Sequence, residues 1–222
     1  GVPSIAIDSN NVYIAWWDDT DLGCGTDGDI FFKKKPIGGS WPTSTEVVST
    51  ESTDTVGTVT SPGIAIDSNN VYIAWEDMTD LGCGTDRDIF FKKKPIGGAW
   101  PTSTEVVSTE STSDSFYPSM AIDLNNVYIV WRDQTDLGCG IDWDIFFKKK
   151  LIGGSWPAST EVVSTESTDG SYSPVLAIDS NNIYIVWEDD TDLGCGTDRD
   201  IFFKKKPIGG SWPTSTEVVS TE

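Results

Sequence analysis

The residues best suited to chemistry lie in an acidic loop that occurs four times. Its first occurrence reads DLGCGTD, from Asp21 to Asp27. Carboxylates are hard oxygen ligands, and Ca²⁺ takes six to eight oxygens. The loop therefore predicts a calcium site or, alternatively, aspartates that cap strand ends and accept hydrogen bonds from loop amides. The candidate calcium ligands are Asp18, Asp21, Asp27, Asp29, Asp77, Asp80, Asp86, Asp88, Asp133, Asp136, Asp142, Asp144, Asp189, Asp192, Asp198 and Asp200.

The elements that position these loops form an internal repeat. The cysteines at 24, 83, 139 and 195 define a period of 56 residues after a first spacing of 59. Each repeat reads as four short strands, exemplified by SIAID, VYIAW, IFFKKK and STEVVST, and no helical period appears. Four antiparallel strands form one blade of a β-propeller, and such blades repeat around a central axis. We therefore predict an all-β propeller over 1–222, with blades at approximately 1–57, 58–115, 116–171 and 172–222.

The segment FFKKKPIGGSW resembles the turn of sialidase-type Asp-box (BNR-like) propeller repeats, whose pattern is Ser-x-Asp-x-Gly-x-x-Trp. Gly38 and Trp41 fit that pattern, whereas Lys34 and Pro36 stand where Ser and Asp are expected. The resemblance covers all four repeats and implies the propeller fold. Because this turn is structural in the family, it does not carry a chemical function.

Catalysis by a sialidase implies an arginine triad, a tyrosine with a glutamate partner, and an aspartate acid/base. The chain has three arginines, but they match no such motif, and it contains no histidine to act as a general base. Near-identical blades also argue against an active site, which needs different residues in different blades. We therefore assign no catalytic residue and expect a protein that is not an enzyme; a sialidase-like glycoside hydrolase is the less favoured alternative.

Charge is distributed unevenly along each repeat. The formal net charge is -20, and the stretches 17–29, 76–88, 132–144 and 188–200 hold 20 of the 35 acidic residues. All twelve lysines lie in the four KKK runs, which we interpret as solvated charge or, alternatively, an anion site. Such acidity argues against nucleic acid as a partner, and no apolar run is long enough to cross a membrane. We expect an extracellular or cell-surface location.

Differences between the repeats concentrate near the acidic loops. Trp17, Glu76, Arg132 and Glu188 are equivalent, as are Gly28, Arg87, Trp143 and Arg199. One interpretation is free drift at solvated positions. The other is a binding surface for a glycan or a protein, since exposed tryptophan and arginine act as anchors. The candidate ligand-binding residues are Trp17, Arg87, Arg132, Trp143 and Arg199.

Propeller geometry limits what the four thiols do. With strands about 4.8 Å apart, equivalent cysteines in a four-bladed ring lie roughly 18 Å from one another. A disulfide needs Cα atoms within about 7 Å. We therefore exclude bridges within one ring, and leave three alternatives: a small residue that fits between two glycines, a disulfide to another chain through Cys24, Cys83, Cys139 or Cys195, or a thiol with its own chemistry.

Two closures of the ring fit the repeat. The four blades form a closed ring, or two chains join into eight blades. The primary prediction of function is a non-catalytic binding or scaffolding module that recognises a glycan or a protein. The alternative is a structural subunit whose lysine end meets the acidic end of another copy, which produces a filament. No cofactor is assigned with certainty, and calcium is the candidate.

Overall fold

The computed structural model describes residues 2–23, 28–53, 62–194 and 198–220. The chain divides into two compact units, which comprise residues 1–109 and 110–222. Each unit contains two four-stranded antiparallel sheets, in which the strands are paired in the order of the sequence. No helix occurs in the described residues, so none of them forms a helix that could cross a membrane. The predicted all-β architecture with four four-stranded blades is confirmed.

Blades 1 and 2 form the first unit. The strands of blade 1 are β1 (Pro3–Ile7), β2 (Asn11–Asp18), β3 (Asp29–Pro36) and β4 (Glu46–Val47). Those of blade 2 are β5 (Gly63–Ile66), β6 (Asn70–Asp77), β7 (Asp88–Pro95) and β8 (Glu105–Val106).

Blades 3 and 4 form the second unit. The strands of blade 3 are β9 (Ser115–Ile122), β10 (Asn126–Asp133), β11 (Asp144–Leu151) and β12 (Glu161–Val162). Those of blade 4 are β13 (Ser171–Ile178), β14 (Asn182–Asp189), β15 (Asp200–Pro207) and β16 (Glu217–Val218). Strands β9 and β13 begin one residue before the predicted blade boundaries, and the fourth strand of every blade is only two residues long.

The turn between the first two strands of each blade is built on one aspartate. In blade 1, the Asp8 carboxylate accepts hydrogen bonds from the backbone N–H groups of Asn10 and Asn11, each at 2.6 Å, and from the Tyr13 hydroxyl at 2.6 Å. Such side-chain bonds to nearby amides close tight turns. The same network recurs at Asp67, Asp123 and Asp179, so the turn explains the repeated DSNN and DLNN sequences.

The core of each unit lies between its two blades. In unit 1, Tyr13, Phe32 and Val48 of blade 1 pack with Ile73 and Trp75 of blade 2. In unit 2, Tyr128, Phe147 and Val163 of blade 3 pack with Ile185 and Trp187 of blade 4. A single blade has too little apolar surface to fold alone, so the pairing of sheet faces is what makes each unit stable.

The lysine runs are only in part the solvated charge that the sequence predicted. In blade 2 and blade 4 the first and third lysines, Lys92, Lys94, Lys204 and Lys206, are buried. Burial lowers the pKa of Lys94, Lys204 and Lys206. The alternation of a strand turns every second side chain towards the neighbouring sheet, and a lysine stem contributes apolar contact there.

Candidate ligand-binding surface

The long loop of each blade begins and ends with two aspartates on adjacent strands. The register places Asp18 opposite Asp29, Asp77 opposite Asp88, Asp133 opposite Asp144, and Asp189 opposite Asp200. In blade 3 both carboxylates are buried. Asp133 accepts bonds from the Ser115 hydroxyl at 2.6 Å and the Thr135 amide at 2.8 Å, and Asp144 accepts one from the Ser164 hydroxyl at 2.6 Å. These pairs hold the loop ends to their own blade.

Burial has a clear electrostatic effect on Asp144. Loss of solvation, together with the charges of the nearby carboxylates of Asp142, Asp189 and Asp133, raises the pKa of this carboxyl to about 6. The hydrogen bond from Ser164 acts in the opposite direction and only partly offsets them. Asp144 is therefore a buried carboxyl group that exchanges its proton near pH 6 rather than in the ordinary acidic range of aspartate.

The aspartates within the loops accept hydrogen bonds from loop amides, which is the alternative to calcium binding that the sequence offered. Asp21, Asp80, Asp136 and Asp192 each accept a bond at 2.7 Å from the amide of the glycine two residues later. Asp86, Asp142 and Asp198 follow in the same loops, and Asp27 lies outside the described residues. Within the described part of the chain, no three acidic or cysteine side chains form a group that could hold a metal ion. Calcium binding stays a prediction.

Two of the four cysteines lie in described loops. Cys83 and Cys139 are half-buried, and no disulfide joins either of them to another described cysteine. Burial, together with the charges of Asp144, Asp136 and Asp142, raises the pKa of the Cys139 thiol. A thiol in acidic surroundings is a weak nucleophile, because its thiolate is disfavoured. Cys24 and Cys195 lie outside the described residues, and a bridge to another chain stays a prediction.

Two of the variable positions face each other across the hairpin in blades 1, 3 and 4. In blade 1 a Cβ atom on Gly28 would lie 2.2 Å from Trp17 Nε1, so the indole occupies the space that glycine leaves. In blade 3 the guanidinium carbon of Arg132 lies 4.4 Å from the centre of the Trp143 ring. In blade 4 Arg199 forms an ion pair with Glu188 at 3.2 Å. In these three blades the two side chains are therefore in contact, so a change at one position alters the surroundings of the other.

Arg132 lies among four aromatic rings of unit 2. Besides Trp143, its guanidinium carbon is 4.9 Å from the Phe116 ring, 4.8 Å from Tyr117 and 5.3 Å from Tyr172. A guanidinium group is attracted to the faces of aromatic rings. We call Arg132, Phe116, Tyr117, Trp143 and Tyr172 the aromatic surface.

Arg199 borders the aromatic surface through a shared ring. Its guanidinium carbon lies 4.2 Å from the centre of Tyr172, the ring that also faces Arg132. Its Nε donates to Asp190 at 2.8 Å. The structure thus brings three predicted ligand residues together, Arg132, Trp143 and Arg199. Trp17 and Arg87 belong to unit 1.

Backbone strain is concentrated at the same place. Tyr117 has a φ of 54° and Ser173, its equivalent in blade 4, a φ of 50°. Both lie where the register between the first two strands of the blade shifts. A left-handed backbone costs a residue with a side chain about 1–2 kcal/mol. The bulge turns Tyr117 towards Arg132, where its side chain remains 42% exposed.

Sequence reasoning missed Phe116, Tyr117 and Tyr172. All three lie in the variable segments that precede Pro118 and Pro174. The signal was present: these segments contain aromatic residues in repeats 3 and 4, and their counterparts in repeats 1 and 2 contain none.

Structural comparison places the chain among β-propellers. It superposes on the endo-arabinase from Bacteroides thetaiotaomicron with a TM-score of 0.59 and 12% identity, covering 98% of this chain and 80% of that one. For the GH43 endo-arabinanase from Bacillus licheniformis the TM-score is 0.54 at 12% identity, with 99% and 79% covered. For the phage phi92 endosialidase it is 0.56 at 10% identity, with 96% and 35% covered. At such low identity these similarities establish the fold alone.

Sequence comparison adds no family. No family model matches the chain, and no curated protein sequence matches it. The resemblance to Asp-box repeats therefore rests on the degenerate turn motif, whereas the β-propeller fold rests on the sheets and on the structural neighbours.

Proposed function

We propose that this chain is a non-catalytic β-propeller that binds a neutral polysaccharide through its aromatic surface. The observation that carries the proposal is the arrangement around Arg132, with its guanidinium carbon within 5.3 Å of four ring centres. One of those rings, Tyr117, is exposed and is held by a strained backbone. Strained residues cluster at functional sites when the surrounding structure enforces them.

Aromatic rings provide flat apolar faces on which the C–H faces of sugars stack. Arg132 stiffens the group, because a guanidinium between rings restricts their movement. Rigid aromatic side chains give contact area at a low cost in conformational entropy. Glu188 and Asp190 lie beside Arg199 at the border of the surface, where their oxygens can accept hydrogen bonds from sugar hydroxyls.

Charge selects the class of polysaccharide. The chain carries a formal net charge of -20, and Arg199 is engaged by two acidic side chains. An acidic surface repels polyanions by long-range electrostatics. A neutral glycan is therefore preferred to a uronate or a sialylated polymer.

Structural neighbours are consistent with a glycan ligand. Two of them are arabinan-degrading enzymes by name, and a third is a xylan β-1,4-xylosidase from Bacillus halodurans. Arabinan and xylan are thus suitable first ligands to test. An extracellular location belongs to the same proposal, because polymers of this kind occur outside cells.

Binding without cleavage is supported by the state of the carboxylates. General acid/base hydrolysis of a glycoside uses two carboxyl groups that flank the scissile bond. The pair closest to that description, Asp133 and Asp144, is buried and bonded to serine and threonine groups of its own blade. Equivalent pairs occur at the same register in the other three blades, as expected for a structural device.

The direct test is affinity electrophoresis of the 222-residue chain in gels that contain linear arabinan, xylan or polygalacturonate. We expect retardation by a neutral polymer and none by polygalacturonate. Tyr117→Ala and Trp143→Ala should reduce the retardation at least tenfold. Ile141→Ala is the matched control, because Ile141 is an exposed apolar residue of the same blade that lies outside the aromatic surface.

Three outcomes would contradict the proposal. They are equal migration of the chain with and without each neutral polymer, equal loss of binding in Ile141→Ala, and release of reducing sugar from arabinan or xylan. The last result would revive the hydrolase interpretation. Circular dichroism of each variant separates loss of binding from loss of folding.

A further inference from the structure

The two blades of each unit are joined by the same polar contacts. In unit 1, Lys92 Nζ of blade 2 donates to Val48 O at 2.9 Å and to Thr50 Oγ1 at 3.1 Å. In unit 2, Lys204 Nζ of blade 4 donates to Val163 O at 2.9 Å and to Thr165 Oγ1 at 3.1 Å. A lysine of the later blade thus bonds the main chain beside the fourth strand of the earlier blade.

An ion pair and an aromatic contact complete the contact between the two blades of a unit, which we call the seam. Lys94 pairs with Glu46, and Lys206 pairs with Glu161. Trp100 packs edge-on against Phe32 with ring centres 5.5 Å apart, and Trp212 packs in the same way against Phe147 at 5.5 Å. The later blade therefore supplies two lysines and a tryptophan, and the earlier blade supplies a carbonyl, a glutamate and a phenylalanine.

Blade 1 has the residues of a later blade. Its two lysines and its tryptophan are Lys33, Lys35 and Trp41, and Lys35 Nζ already lies 5.1 Å from the Trp41 ring. The equivalent distances in blades 2 and 4 are 4.9 Å and 4.6 Å. Trp41 is 41% exposed and Ile5 is 67% exposed. The counterparts of Ile5, Ile64 and Leu176, pack into the cores of their units. We call Ile5, Lys33, Lys35 and Trp41 the lysine face.

Blade 4 has the residues of an earlier blade. Phe203, Glu217 and Val219 are equivalent to Phe32, Glu46 and Val48 of blade 1. Phe32 and Val48 are buried beneath blade 2, whereas Val219 is 60% exposed and Phe203 is only half-buried. We call Phe203, Glu217 and Val219 the acceptor face.

We propose that the lysine face of one copy of this chain docks on the acceptor face of a second copy. The two faces are complementary in charge, because Lys33 and Lys35 would meet Glu217 and the Val219 carbonyl. They are also complementary in shape, because the same residue types already form this seam once in each unit. The contact is heterologous, so it closes only where the rotation between copies returns to the first chain; the proposal is a ring of two chains joined by two such seams. This inference does not rest on the proposed glycan binding.

A charge exchange tests the seam. Sedimentation equilibrium of the wild-type chain should give twice the 24.2 kDa mass of one chain. Lys35→Glu alone places two carboxylates together, and Glu217→Lys alone places two ammonium groups together, so each should weaken association at least tenfold. An equimolar mixture of the two variants should regain the double mass, because every seam then joins opposite charges. Asp19→Lys, an exposed control with the same charge change as Glu217→Lys, should leave the mass unchanged.

The mixture also distinguishes a second copy from other occupants. If blade 4 of the same chain covers the lysine face, each variant stays monomeric, the mixture regains nothing, and only the double variant Lys35→Glu/Glu217→Lys recovers thermal stability. That result overturns the proposal. A wild-type chain that remains monomeric at every concentration, with the variants indistinguishable from it in mass and stability, also overturns it.

Discussion

The guanidinium carbon of Arg132 lies 4.4 Å from the ring centre of Trp143, at the base of the acidic loop of blade 3. At the equivalent positions, blade 1 has Trp17 and Gly28, and blade 4 has Glu188 and Arg199. An arginine opposite a tryptophan, an indole over a glycine and an ion pair are three ways to fill one space. The hairpin therefore constrains two positions jointly, although they lie eleven residues apart in the chain.

The first prediction concerns this coupling. Arg132→Glu should lower the free energy of unfolding by about 1–2 kcal/mol, because it removes several cation–π contacts. Adding Trp143→Arg recreates the Glu–Arg combination of blade 4 and should restore at least half of that loss. Denaturant unfolding of both single variants and the double variant supplies the double-mutant cycle. Strictly additive effects would show that the two positions are independent.

The second prediction concerns the buried lysines. Lys204→Met should lower the free energy of unfolding by about 1–3 kcal/mol, because it leaves the buried Val163 carbonyl without its lysine donor. Lys92→Met should have a similar effect in unit 1, since the bond lengths are the same. Thr165→Val keeps the bond to the main chain and should cost less. Wild-type stability in Lys204→Met would refute a structural role for this lysine.

The third prediction is a dependence of stability on pH. The pKa of Asp144 is raised to about 6, above the ordinary aspartate value of 3.8, so the folded state binds more protons than the unfolded state between these values. The contribution of this group to stability is therefore greatest at low pH and decreases as pH rises through 6. In Asp144→Asn, the decrease in stability between pH 4 and 7 that is due to this group should be absent. Thermal unfolding at closely spaced pH values measures it.

Asp200→Asn is the control for that experiment. It changes the equivalent aspartate of blade 4 and leaves Asp144 intact, so the decrease in stability across pH 4 to 7 should remain. A decrease that is as steep in Asp144→Asn as in the wild-type chain would assign the effect to another group.

The fourth prediction concerns the Asp8 turn. Its hydrogen bond from the Tyr13 hydroxyl, followed by that from the Asn10 amide, lowers the pKa of Asp8 to about 2. Tyr13→Phe should raise that pKa towards the ordinary value for aspartate. A depressed carboxyl pKa contributes stability above pH 4 that is lost as pH falls towards 2, so the variant should also lose less stability on acidification.

Carbon-detected NMR titration of the aspartate carboxyls measures this shift. The pKa of Asp179 is lowered to about 2 by the equivalent bond from Tyr184, and it should not move in Tyr13→Phe. An unchanged Asp8 pKa in the variant would show that the amides alone stabilise the carboxylate.

The number and type of strands could be predicted from the repeated pattern. Alternating β-branched and aromatic residues, bounded by DSNN-like and PIGG-like turns, place each strand because such signals act within a few residues. Comparison of the repeats also singled out three residues of the candidate site, Arg132, Trp143 and Arg199. It did not reveal that Tyr172, at the start of β13, faces both arginines.

The lysine runs show where local reasoning was insufficient. Charge alone suggested solvated side chains, but Lys92 and Lys204 are buried against the neighbouring blade and bond its main chain. A strand's period of two identifies which lysines share a face, whereas the packing of the next sheet decides whether that face meets water. The sequence by itself thus determined the repeat, the strands and the acidic loops. Only the tertiary structure decided which charges are buried and which aromatic rings surround Arg132, because these depend on contacts between segments far apart in the chain.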